Sequence, residues 1–91
     1  MTPEQRELFR IAILRVLDAN QTRFGLSAKA IATLIVEFGF QPQADAVTLE
    51  LEYLADAKKG LAMPVDKKVS PENQNWKISA DGRDFLAARG Y

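Results

Sequence analysis

The chain has 91 residues, 47% of them hydrophobic and 26% charged, and its 12 basic and 12 acidic residues sum to a formal net charge of zero. This length suits one compact domain, residues 1–91, and the composition is not that of a disordered segment. Cysteine and histidine are both absent, which excludes disulfides, the usual zinc sites, and Ser-His-Asp or Cys-His catalytic sets. The longest uncharged apolar run, Ala30 to Val36, is far short of a spanning helix, and Met1-Thr2-Pro3-Glu4-Gln5 carries no signal-peptide pattern. A soluble cytoplasmic protein that does not enter membranes is expected.

The first helix starts at a capping box, with Thr2 as N-cap, Pro3 at the first helical position and Gln5 reaching back. Leu8, Ile11, Leu14 and Val16 to Leu17 return at helical spacing, Arg6, Arg10 and Asp18 lie off that stripe, and Asn20 offers a left-handed stop. A loop from Gln21 to Leu26 follows, with Phe24 and Leu26 expected to tuck inward. Ser27 then caps a second helix running from Ala28 to about Phe38, with Ile31, Leu34, Ile35 and Phe38 apolar on a broad face and Gly39 as terminator. Pro42 keeps the chain from continuing as helix, so a short turn leads to a third helix.

That third helix begins near Gln43 or Ala44 and is expected to end before Gly60, with Val47, Leu51 and Leu54 facing the core and Lys58 and Lys59 in its last turn. Beyond Gly60, Leu61, Met63 and Val65 alternate with Ala62 and Pro64. A polar stretch from Asp66 to Asn75 then precedes Trp76, Lys77 and Ile78, a pattern that predicts two strands joined by a long turn. Pro64 places the first of them at an edge, because proline cannot donate to a ladder. Ser79 caps a final helix, Ala80 to Arg89, which buries Phe85 and Leu86 and ends at Gly90.

Three helices followed by a hairpin, the second and third helices joined by a tight turn, resemble a winged-helix domain. Val47, Leu51 and Leu54 followed by Gly60-Leu61 look like a recognition helix entering its first wing strand. Trp76-Lys77-Ile78-Ser79-Ala80-Asp81-Gly82 resembles the second wing strand running into a closing helix. The expected fold class is therefore α+β and mainly helical, a winged helix-turn-helix with three helices, a β-hairpin wing and a C-terminal helix. In size and order of elements the chain is similar to small winged-helix proteins carried by Mu-like phages and prophages. Five residues, Ala55 to Lys59, separate Leu54 from Gly60, more than such families usually place there, so a third helix longer by about half a turn is expected.

The resemblance implies a partner in double-stranded DNA, with the third helix in the major groove and dimerisation if a palindrome is read. Thr48 is then the most available base-edge group, with Arg23, Lys29, Lys58, Lys59, Lys67 and Lys68 as phosphate contacts, although the commoner role of any one such residue is that of an ordinary solvated cation. Between Gln43 and Gly60, however, four acids (Asp45, Glu50, Glu52, Asp56) oppose two lysines, a sum of −2, and an acidic helix repels phosphate. Leu49 and Tyr53, four residues apart and rimmed by those acids, suggest instead a surface for a protein partner or a second copy, unless they pack beneath the wing or first helix. Trp76 could stack a base, but its strand position favours core filling. Glu50 and Asp56 lie too far apart along the helix to work as a pair, and Asp81 with Asp84 shares one exposed face. No enzymatic activity, metal or cofactor is expected.

Overall fold

The computed structural model describes residues 1–65 and 74–91. Helix α1 (Pro3–Ala19) begins at the expected capping box: Gln5 N–H donates to Thr2 Oγ1, and Thr2 N–H donates to Gln5 Oε1. Strand β1 (Leu26–Ser27) leads directly into α2 (Ala28–Leu34), and Ser27 Oγ accepts from Ala30 N–H as the cap. One turn of 3-10 helix (Ile35–Phe38) ends at Gly39 with φ 87°, and α3 (Ala44–Leu54) follows. Strands β2 (Ala62–Pro64) and β3 (Asn75–Ile78) precede α4 (Ala80–Ala88), which is capped by Ser79 and closed by Gly90 at φ 83°. The fold is α+β and mainly helical, with four α-helices and one antiparallel sheet in the order β1-β3-β2 among the described residues. No helix among the described residues is long and apolar enough to cross a membrane.

Helix α1 is the central post. It buries Phe9, Ile11, Ala12, Ile13, Leu14, Val16 and Leu17, a wider arc than one stripe, because α2, α3, α4 and β3 all pack on it. The stripe starts at Phe9, not Leu8: Phe9 meets the Phe40 ring at 5.3 Å between centroids, and Leu8 is left 52% exposed. Around this post, Ile31, Ile35, Val47, Leu51, Leu54, Trp76, Ile78 and Leu86 complete one apolar cluster. Trp76, at 6% exposure, is core filling.

Several local expectations are corrected. Phe24 does not tuck inward but stands 67% exposed, and Leu26 is half-buried as part of β1. Its strand pairs Leu26 with Trp76 and Ser27 with Asn75, so the sheet has three strands rather than two. Asn20 ends α1 without a left-handed turn (φ −123°), because both its side-chain amide and its backbone N–H bond Val16 O. In β2 the inward residue is Ala62, opposite Ile78, while Met63 faces outward opposite Lys77; β2 is the edge strand that Pro64 requires.

Helix α3 ends at Leu54, not just before Gly60, so it is not extended by half a turn. Lys58 and Lys59 lie beyond its last turn. The chain turns here because Asp56 competes with the helix: its carboxylate accepts from Lys58 N–H at 2.9 Å and its carbonyl accepts from Lys59 and Gly60 N–H. Leu61 N–H then returns to Leu54 O.

The junction between sheet and α4 is tight. Ser79 Oγ donates to Gly60 O and accepts from Gly82 N–H, and Ser79 N–H bonds Leu61 O. Gly82 is buried in the first turns of α4, where a Cβ would collide with the Leu61 carbonyl oxygen and meet Ile78 Cγ1 at 2.6 Å. A helical Gly→Ala change ordinarily stabilises by about 1 kcal/mol. Here Gly82→Ala is expected to destabilise by about 1–3 kcal/mol, because backbone must move to admit the methyl group; urea unfolding followed by far-UV circular dichroism measures the sign.

Candidate binding surfaces

Helix α3 is held by Val47, Leu51 and Leu54 against the core, so the residues between them form its outer faces. Leu49 projects from the helix at 67% exposure and packs beneath neither strands β2 and β3 nor α1. Asp45 and Glu52 are exposed on the same helix. Thr48 is half-buried, and its hydroxyl donates to Ala44 O at 3.1 Å, which turns the donor back into the helix. A group so engaged presents only its acceptor lone pairs outward.

Tyr53, 39% exposed, is covered by cations: the Arg10 guanidinium lies 3.7 Å from its ring centroid and Lys59 Nζ 4.6 Å. Arg10 Nε also donates to Glu50 Oε2, while Arg6 Nε stands 3.7 Å from Glu50 Oε1. Glu50 and Arg10 side chains are mostly shielded from solvent, at 13% and 19% exposure, so this pair is less screened than a surface ion pair. The acidic character of α3 is thus divided. Glu50 is neutralised by α1, leaving Asp45 and Glu52 as the charges beside Leu49.

Of the expected phosphate contacts, Arg23, Lys29, Lys58 and Lys59 are all exposed but sit on different elements. Arg23 lies in the loop before β1, 5.6 Å from the Phe24 ring, Lys29 in the first turn of α2, and Lys58 and Lys59 beyond α3. Lys59 is engaged with Tyr53. Lys67 and Lys68 lie outside the described residues. No group of three or more Asp or Glu residues is placed to hold a metal ion among the described residues.

The sequence offered no signal for the Arg10–Glu50–Tyr53 arrangement. Arg10 and Glu50 are forty positions apart, and only the packing of α1 across α3 joins them. Replacing Glu50 with Gln removes the shielded carboxylate and leaves Arg10 without its ionic partner. Glu50→Gln is expected to cost about 1–3 kcal/mol, and Arg10→Ala a similar amount, in chemical denaturation, while the double variant loses less than the sum. No protein-family model, curated protein or solved structure matches the chain.

Proposed function

We propose that the chain is a non-enzymatic winged-helix module that docks on a protein partner through the outward face of α3. Two helices joined by a short turn, followed by a β2–β3 hairpin whose inner strand also pairs with β1, support the winged-helix assignment. Leu49 carries the docking half of the proposal. It is the most exposed large apolar side chain on α3, flanked by Asp45 and Glu52, and α3 itself contributes no cation. A partner that fits this face has an apolar pocket for Leu49 edged by Lys or Arg, with Tyr53 at the margin.

A second function, DNA binding, has one observation in its favour: Lys58 and Lys59 follow α3 directly, where a groove-bound helix would bring them to phosphate. In that arrangement Arg23, Lys29, Lys67 and Lys68 add backbone contacts and Thr48 faces a base edge. Against it stands the charge of the helix that would enter the groove.

Amide chemical-shift titration with a random-sequence duplex at low and higher salt separates the two. For a protein-docking module, α3, Lys58 and Lys59 show no saturable shifts at low salt. Affinity capture supplies the positive arm: a partner retained by the wild type and by Lys58→Gln is lost with Leu49→Asp. Duplex-induced shifts at α3 and Lys58 that fade as salt rises would overturn protein docking in favour of DNA.

A further inference from the structure

A cleft of about 430 Å³ opens between the C-terminal end of α1, the loop before β1, strand β3 and the start of α4. Three cations converge on it from three separate elements: Arg23 from the loop, Lys77 from β3 and Arg83 from α4. No Asp or Glu is among the described residues that line it. In a chain whose charges sum to zero, three cations and no carboxylate among the described lining residues of one concavity are a marked local excess.

None of these cations is held in an ion pair among the described residues, where the pairs are Arg6 and Arg10 with Glu50 and Arg89 with Glu7. The wall also includes Ser79 and Ala80 at the N-terminal end of α4, where the helix dipole adds positive potential. Trp76 forms part of the wall as well, and its indole N–H is the one buried side-chain polar atom without a hydrogen-bond partner among the described residues. The neutral hydroxyls are already engaged, Thr22 with Gly25 O and Ser79 with Gly60 O, so the cleft's free side-chain donors are mainly its cations.

We propose that this cleft binds a compact, multiply charged phosphate anion, a phosphomonoester or pyrophosphate group of the kind a mononucleotide carries. Arg23 and Arg83 supply the forked donors suited to phosphate oxygens, and Lys77 supplies a point charge from the sheet. The volume lies within the range of small-molecule sites. Convergence in a concavity suits one anion of two or more charges. A nucleic-acid backbone instead presents single charges spaced along a strand and calls for a cationic stripe. The cleft is formed without α3, so the proposal stands or falls separately from protein docking through Leu49.

Trp76 is the only tryptophan in the chain, so its fluorescence reports on the cleft. The protein is titrated at low salt with inorganic pyrophosphate, with adenosine monophosphate and with a random-sequence duplex, following Trp76 emission and amide shifts. A saturable change with pyrophosphate or the mononucleotide, centred on Arg23, Lys77 and Arg83, is expected. Arg83→Gln and Lys77→Gln should each weaken it by about tenfold with unchanged melting temperature, whereas Lys58→Gln, outside the cleft, should leave it intact. The proposal is overturned if neither small anion gives a saturable change, if only the duplex does, or if Lys58→Gln weakens binding as much as Arg83→Gln.

Discussion

Two close approaches that only glycine permits flank strand β3 and hold the molecule together. On one side Gly25, at φ 72°, brings the loop before β1 against the Trp76 carbonyl, and a Cβ there would stand 2.5 Å from that oxygen. On the other, Gly82 lets α4 settle onto the Leu61 carbonyl and Ile78. With both approaches made, β3 can pair with β1 and β2 at once, turning Trp76 and Ile78 onto α1. The ladder is only a few residues long on either side, so close packing of its flanks, more than hydrogen-bond number, positions it.

From that central strand the remaining elements take their places. Ser27, paired with Asn75, is at once the last residue of β1 and the cap of α2. Ser79, one residue past β3, is the cap of α4 and the link to Gly60. Helix starts are thereby tied to strand register, so a slip in β3 would displace two helices as well as the sheet. The apolar post of α1 then has something to bury against on every side, which explains why its buried arc is wider than a surface helix would show.

Charge is sorted by the same packing. The chain's 12 basic and 12 acidic residues sum to zero, but packing distributes them unevenly over its surface. Arg6 and Arg10 cross to Glu50, so α1 neutralises part of the α3 surface and leaves Asp45 and Glu52 around Leu49. Arg23, Lys77 and Arg83 gather elsewhere, around a cleft with no carboxylate among its described lining residues. One small domain therefore offers two chemically opposite surfaces, one apolar and acidic, the other cationic and concave.

Local signals in the sequence determined the helices and their caps: Thr2 with Gln5, Ser27, Ser79, Gly39 and Gly90 each act within a few residues, and each does so in the fold. The core stripe of α3 was legible for the same reason, since Val47, Leu51 and Leu54 repeat at the helical period. Strand β1 was not, because two residues carry no alternation and become a strand only by pairing with Asn75 and Trp76. Nor could spacing tell Phe9 from Leu8 or place Phe24 in solvent, as those choices depend on which neighbour, Phe40 or none, lies opposite. The candidate surfaces divide likewise: Leu49 and Tyr53 were visible as an i, i+4 pair, whereas the cover on Tyr53 and the meeting of Arg23, Lys77 and Arg83 join residues from distant parts of the chain. Short-range chemistry set the helix starts and their caps. Long-range packing alone decided which faces were buried, which charges were neutralised, and where unpaired charge was left to act.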